Sequence, residues 1–208
     1  MKFITISDTH GQHSNLDLPD GDALIHAGDV SSRGTEYEIR SFLDWFERLD
    51  YKYKIFIAGN HDFFFEQEDV ATIQSILPEN VIYLNDSGAN MEGMSIWGSP
   101  VSPWFYDWAF NRQRGEDIKN HWDLIPDHTD MLITHGPAFG ILDQTVSGLH
   151  VGCEELKSKI DILKPKIHVC GHIHEAYGQI KTPDTLFINA SVLDVRYQMV
   201  NNAIGFEM

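Results

Sequence analysis

Basic side chains are scarce: 15 Lys and Arg stand against 31 Asp and Glu in 208 residues, a formal net charge of −16. A surface that acidic repels long polyanions, so duplex nucleic acid and anionic membrane are disfavoured partners. Cysteine is scarcer still. Cys153 and Cys170 are the only two and neither sits in a C-x-x-C pair, so no disulfide framework is expected and a reducing, cytoplasmic setting fits. No apolar run approaches the roughly 18 residues of a membrane-spanning helix. The opening Met1-Lys2-Phe3-Ile4-Thr5-Ile6-Ser7-Asp8 runs directly into the first motif, so no removable signal segment is expected. There is also no internal repeat, low-complexity tract or interdomain linker, and a single domain over residues 1–208 is expected.

What the chain does contain is a series of short apolar runs, each ending in side chains that bind metals. Residues 3–7, 23–27, 55–58, 131–134 and 167–170 are rich in Ile, Val, Phe and Leu and bounded by turn residues, as buried strands are. They lead into Asp8-x-His10, Gly28-Asp29, Gly59-Asn60-His61-Asp62, His135-Gly136 and Gly171-His172-x-His174. In open α/β sheets, ligands collect beyond the carboxyl ends of parallel strands, so five motifs far apart in sequence converge on one place.

Between the motifs, residues 36–49, 69–77 and 151–163 carry apolar side chains at helical spacing. Residues 81–84, 89–91 and 94–97 lie close together around Asn85-Asp86-Ser87-Gly88 and Glu92-Gly93, which reads as antiparallel strands. The tail repeats that meander over 176–181, 185–190 and 203–206, with Pro183-Asp184 as a hairpin turn. The expected class is α/β: two mixed β-sheets flanked by helices.

Taken singly, Asp8-x-His10 is an ordinary turn with a solvated histidine and Asp29 an aspartate starting a loop; taken together the motifs specify chemistry. Asp8 and His10 are two apart, so they share a face and can reach one ion. Asp29 has two carboxylate oxygens and can bridge cations held about 3.5–4 Å apart. Asn60 offers a neutral amide oxygen, His61 an imidazole that can face substrate, and Asp62 a carboxylate to orient that imidazole. His135, His172 and His174 favour transition-metal ions such as Mn, Fe, Zn, Ni or Co over Ca. Two divalent cations more than neutralise Asp8 and Asp29, so the pocket can attract a small phosphorylated substrate inside an acidic protein.

This ordered set resembles the calcineurin-like metallophosphoesterase superfamily, whose signature is D-x-H, G-D, G-N-H-[DE], G-H and G-H-x-H. The resemblance implies a four-layer α/β sandwich with a dinuclear centre. One metal would be held by Asp8, His10, Asp29 and His174, and the other by Asp29, Asn60, His135 and His172. A narrower similarity, carried by residues 58–62, 103–111, 151–153 and 171–178, is to the MPPED-like branch of phosphodiesterases. It implies hydrolysis of small phosphodiesters, cyclic nucleotides of the 2′,3′ or 3′,5′ kind foremost, with manganese the leading metal and His61 as general acid toward the departing alkoxide. Ser32 stands where the protein-phosphatase pattern has a second Asp, which argues against that identity. A phosphomonoesterase and a non-catalytic protein-binding scaffold on the same fold are the alternatives. All eight signature positions are intact, which weighs against the scaffold.

Residues 104–110 hold five aromatics in seven positions, followed by Asn111, Arg112 and Arg114. Two readings are open: a loop that stacks a nucleobase on Trp104 while Asn111 and Arg112 steady a phosphate, or a core-filling segment. Arg33 is similarly either a phosphate contact or an exposed charge leading a helix. Phe63-Phe64-Phe65 is assigned to packing. Of the remaining histidines, His26 and His168 are expected as hydrogen-bonded strand residues, His13, His121 and His128 as surface positions, and His150 as a pocket neighbour.

Overall fold

Every apolar run that ends in a metal-ligand motif is a strand in the computed structural model, which describes residues 1–208. The first half contains β1 (Lys2–Ile6), β2 (Ala23–Ala27), α1 (Glu36–Glu47), β3 (Tyr53–Ile57), α2 (Phe63–Gln67), α3 (Val70–Ile76) and β4 (Ile82–Leu84). There follow β5 (Ser87–Met91), β6 (Met94–Ser99), the short pair β7 (Ser102–Pro103) and β8 (Asn111–Arg112), and α4 (Glu116–Asp123). The chain closes with β9 (Met131–Thr134), α5 (Glu154–Leu163), β10 (Ile167–Cys170), β11 (Gly178–Lys181), β12 (Leu186–Asn189) and β13 (Ile204–Glu207).

Two mixed sheets result. The first runs β13-β1-β2-β3-β4 and is parallel except at β13; the second runs β11-β12-β10-β9-β6-β5 and is parallel except at its edges β11 and β5. Their inner faces meet through Phe3, Ile25, Ile55 and Ile57 on one side and Ile96, Met131, Ile133, Val169 and Ile188 on the other. That layer is dry because both sheets alternate side chains and spend their apolar inner set on each other. The opposite face of the first sheet, Ile4, Ile6, Leu24 and Phe56, is covered by Ile39, Phe42 and Phe46 of α1 and by Phe64 and Phe65 of α2. Leu132 and Phe187 of the second sheet are covered by Ile118 and Trp122 of α4 and Leu156 and Ile160 of α5. The order is therefore helix, sheet, sheet, helix, as expected. α1 starts sharply because Thr35 and Glu38 form a reciprocal capping box. No helix is long and apolar enough to cross a membrane.

Two sequence expectations need correction. The strands expected at 81–84 and 89–91 do not pair as a hairpin: β4 closes the first sheet beside β3, while β5 pairs with β6 in the second, so Asn85-Asp86 carries the chain from one sheet to the other. Likewise the tail is not one meander. β11 and β12 form the expected hairpin, but β13 crosses back to pair antiparallel with β1, Phe206 stacking on Phe3 at 5.0 Å. Helices α2 and α4 carry little helical signal in the sequence: α2 is five residues long, and α4 buries only Ile118 and Trp122, four apart.

Candidate metal centre

The five motifs do meet, at the carboxyl ends of β1, β2, β3, β9 and β10. The loops after the first three strands are sewn together by backbone amides: Asp8 N–H donates to Gly28 O at 2.9 Å, His10 N–H to Asp29 O at 3.0 Å, and His61 N–H to the Asp29 side-chain Oδ1 at 2.8 Å. From the second sheet, His172 N–H donates to both carboxylate oxygens of Asp8, at 3.1 and 3.0 Å, and Ser191 Oγ adds a third bond at 2.7 Å. Asp8 thereby joins the two sheets. Gly171 permits this approach, because a Cβ there would collide with Ser7 and with the Asp8 carboxylate.

The backbone is bent unusually to aim these groups. Asp8, His10, Asp29 and His172 have φ of 56°, 43°, 55° and 69°, the left-handed region that L-residues avoid. Such positions cost on the order of 1–3 kcal/mol each and persist where surrounding bonds over-determine them, which is typical of functional sites.

The donor atoms converge closely. Asp29 Oδ2 lies 3.6 Å from His10 Nε2 and 3.4 Å from His135 Nε2, placing this carboxylate between two imidazoles. His174 Nε2 lies 3.5 Å from Asp8 Oδ1 and 3.4 Å from His10 Nε2. On the other side, Asn60 Oδ1 lies 2.9 Å from His135 Nε2, and the His172 ring stands edge-on to His135 at 4.9 Å. Asp8, Asp29, His10, Asn60 and His135 are all buried; His172 and His174 are half-buried.

Whether cations fit here can be decided from the tautomers. A carbonyl oxygen only accepts, so His135 Nδ1, 3.0 Å from Ala27 O, and His174 Nδ1, 3.0 Å from Asp194 O, must each carry a proton. Nε2 of each ring then faces inward, toward Asn60 Oδ1 and Asp29 for His135 and toward Asp8 and the His10 ring for His174. Where a ring is neutral, that nitrogen is a lone pair among oxygen acceptors, so the arrangement calls for positive charge there, either a proton on Nε2 or a bound cation. Burial by itself would lower the pKa of both rings, yet Asp29 beside His135 and Asp8 beside His174 outweigh it and push both up to about 9. Burial likewise works to raise the two carboxyls, and His135 and His174 outweigh it to hold Asp29 and Asp8 well below the ordinary range. The donor set of oxygens and imidazole nitrogens suits divalent transition metals, with Asp29 placed to bridge.

A model of the family described as calcineurin-like phosphoesterase matches residues 1–176. The chain belongs to this family. It is 41% identical to human metallophosphoesterase domain-containing protein 1 over 230 residues, covering 100% of this chain and 71% of that protein. It is 25% identical over 178 residues to the Arcobacter nitrofigilis protein named "Probable glycerophosphodiester phosphodiesterase GpdQ", covering 78% of this chain and 60% of that one. Among solved structures, phosphopantetheinyl hydrolase from Mycobacterium tuberculosis superposes with a TM-score of 0.63 at 16% identity, over 94% of this chain and 90% of that one, which shows a shared fold. As a calcineurin-like phosphoesterase the protein is a metal-dependent phosphoric ester hydrolase, with Asp8, His10, Asp29, His135 and His174 among its candidate metal-binding groups.

His61 lies at the edge of this family centre, half-buried, with Nε2 4.0 Å from Asp29 Oδ2. The sequence assigned its orientation to Asp62, and this is not what the structure shows. Asp62 is fully buried and its oxygens accept from Val30 N, Ser31 N, Ser31 Oγ and Gly59 N, so it clasps the loops after β2 and β3 together. The His61 ring is held instead by the Ser32 carbonyl, which accepts from Nδ1 at 2.8 Å, and by the face of Trp108, 4.3 Å away.

The candidate substrate residues divide. Trp104 and Phe105 are exposed and, with Arg114, Pro137, Gly152 and His172, line a cavity of about 330 Å³ that opens beside the metal centre. Ala109 and Phe110 are buried, so the aromatic loop is half core and half cavity wall. Asn111 does not reach the centre: its amide bonds Ser102 Oγ and Ala109 O and accepts from Phe105 N, which shapes the loop. Arg112 also turns away, pairing with Glu66 at 3.2 Å and meeting His121, and it is Arg114 that borders the cavity. Arg33 is exposed in the turn before α1.

The other histidines are mostly as expected. His26 bonds Thr9 at 2.9 Å and His168 bonds Thr134 at 2.8 Å, but His13 is buried against Phe42 and Trp45 rather than on the surface, and exposed His150 is held by Asp143 at 2.6 Å. Sequence reasoning did not foresee the contacts by which Ser32 and Trp108 hold His61, nor the one by which Asp194 holds His174. The first and third act through backbone carbonyls, which no residue type announces.

Proposed function

We propose that this calcineurin-like phosphoesterase is a phosphodiesterase for small esters, with cyclic nucleotides of the 2′,3′ or 3′,5′ kind as leading substrates, manganese as its metal and the cytoplasm as its setting. The observation that carries this reading is the placement of His61. Its Nδ1 proton is committed to the Ser32 carbonyl, so the proton it can exchange is the one on Nε2, the nitrogen facing Asp29 and the centre. A group so placed serves a leaving alkoxide, which needs a proton as its bond to phosphorus breaks.

Asp8, His10, Asp29 and His174 would hold one cation and Asp29, Asn60, His135 and His172 the other. When bound, such a pair supplies a nucleophile at neutral pH, by drawing the pKa of water from 15.7 toward about 7, and offsets charge growing on the phosphoryl oxygens. The chain's own contribution is to fix these ligands by bonds from Ala27 O, Asp194 O and the loop backbone, so that little rearranges during the reaction. The cavity beside His172, walled by Trp104 and Phe105, is of a size and apolar character to receive the organic part of a small ester. The similarity to a protein named for glycerophosphodiester hydrolysis also favours the diester. The net charge of −16 disfavours long polyanions.

The test compares leaving groups. His61→Ala is expected to retain its metals and to lose about 10²–10⁴-fold on an alkyl diester, where the alkoxide needs the acid, but much less on a nitrophenyl diester. Equal losses on both would count against the acid role. A panel in which the wild-type protein releases phosphate from mono-esters but leaves bis-esters intact would replace diesterase by monoesterase.

A further inference from the structure

We propose that Tyr197 is a substrate-contacting residue, its phenol hydroxyl donating a hydrogen bond to a phosphoryl oxygen of the ester held at the centre. The inference rests on the phosphoesterase reading of that centre and adds a group from a part of the chain beyond residues 1–176, where the family match ends.

Three observations carry it. First, the Tyr197 ring stands edge-on against two residues of the centre, 4.9 Å from His10 and 5.6 Å from His174, at 75° to each. It nevertheless remains 48% exposed, so the phenol lies at the mouth of the site and is not part of the core. Second, its φ is 58°, a conformation that a bulky aromatic residue adopts only when forced. Third, the forcing is visible. The Asp194 carboxylate accepts from Arg196 N at 2.8 Å and Gln198 N at 2.9 Å, Asp194 N–H donates to Gln198 O and Tyr197 N–H to Asp194 O, both at 2.9 Å, and Gln12 Nε2 donates to Tyr197 O at 3.0 Å. The same Asp194 carbonyl accepts the Nδ1 proton of His174 at 3.0 Å, hooking the turn to the metal site.

None of these bonds engages the Tyr197 hydroxyl. A turn built this tightly around a tyrosine whose ring packs on two residues of the centre, with the phenol hydroxyl left out of every hydrogen bond, leaves that hydroxyl free to bond a ligand at the centre. A phosphoryl oxygen is a matching acceptor for a phenol hydroxyl, and the two rings that Tyr197 packs against, His10 and His174, are candidate ligands of the centre that would hold the phosphate.

Tyr197→Phe keeps the ring and deletes the hydroxyl. With manganese-loaded protein, calorimetric titration with inorganic phosphate is expected to show binding weakened about tenfold or more, as for a hydrogen bond to a charged acceptor. Metal content and melting temperature should match wild type, and kcat/KM on a diester should fall in parallel. Unchanged phosphate affinity would overturn the proposal, as would a loss of metal, which would make Tyr197 a prop for the ligands. Failure of wild type to bind phosphate would overturn it too. Phosphate binding that weakens in the variant while wild type cleaves no diester would leave this inference standing and refute only the diesterase reading.

Discussion

Asp62→Asn separates the clasp seen in the structure from the orienting role suggested by sequence. The carboxylate accepts four bonds: Oδ1 from Ser31 N at 2.9 Å and Ser31 Oγ at 2.6 Å, and Oδ2 from Val30 N at 3.1 Å and Gly59 N at 2.8 Å. An amide replaces one acceptor by a donor. Turned so that its NH₂ meets the Ser31 pair, it lets the hydroxyl reverse and accept, but strands the Ser31 N–H; turned the other way it strands two N–H groups. The better orientation therefore leaves one buried unpaired donor, costing about 1–3 kcal/mol, and loss of the charge adds nothing to that, because burial and the nearby Asp29 already push the Asp62 carboxyl up to about 6. A cost of about 1–3 kcal/mol corresponds to a melting temperature lowered by roughly 2–12 °C at about 2–4 °C per kcal/mol for a chain of this size. The assay is thermal unfolding in excess manganese at neutral pH, alongside kinetics on alkyl and nitrophenyl diesters. If Asp62→Asn melts within a degree of wild type but copies the leaving-group selectivity of His61→Ala, the carboxylate works through His61 and the clasp argument is wrong.

Metal removal should be equally visible in stability. With free manganese about 1,000-fold above its dissociation constant, binding contributes about 4 kcal/mol, so chelation should lower the melting temperature by roughly 8–16 °C; a melting curve indifferent to chelator would refute the tautomer argument for the centre. His135→Ala should lower metal stoichiometry, measured by elemental analysis, because Asp29 and Asn60 both lose the imidazole they face; full occupancy would strike His135 from the ligand set. Trp108→Leu removes the face on which His61 rests. An aromatic pair is worth about 0.5–1.5 kcal/mol, so turnover of an alkyl diester should fall by roughly twofold to tenfold and the same substitution should do nothing in a His61→Ala background; an equal loss in both backgrounds would show that Trp108 acts elsewhere.

The parts of the site legible in the sequence are those that depend on residue type. Asp8, His10, Asn60 and His174 could be read because carboxylate, amide and imidazole groups at strand ends have few other reasons to occur in that order, and the sheets followed because their inner strands are apolar enough to be recognised without partners. The unreadable parts depend on where backbone goes. Nothing in Val81 to Met91 says that Asp86 separates two sheets, since either side of it alternates like a hairpin; the decision is made by burial of Leu84 against the first sheet's partners and of Met91 against the same inner core from the other side. Ser32 steers His61 through a carbonyl that any residue possesses, while the nearby Asp62, which looks suited to that task, is consumed by loop amides.

Strain gives the deeper reason for this divide. Asp8, His10, Asp29 and His172 all sit at positive φ, where glycine would be easier, and each is a residue whose side chain the centre needs. Local preference and chemical requirement therefore conflict at the same four positions, and chemistry prevails because the bonds from Gly28 O, Asp29 O and the Asp8 carboxylate hold the bent backbone in place. Tyr197 belongs to this set by conformation although not by residue type. Positive φ does not by itself mark the site, since Tyr106, Phe110, Leu142 and Lys164 share it; what sets Tyr197 apart is that its turn is hooked to His174 through the Asp194 carbonyl and its ring packs against His10.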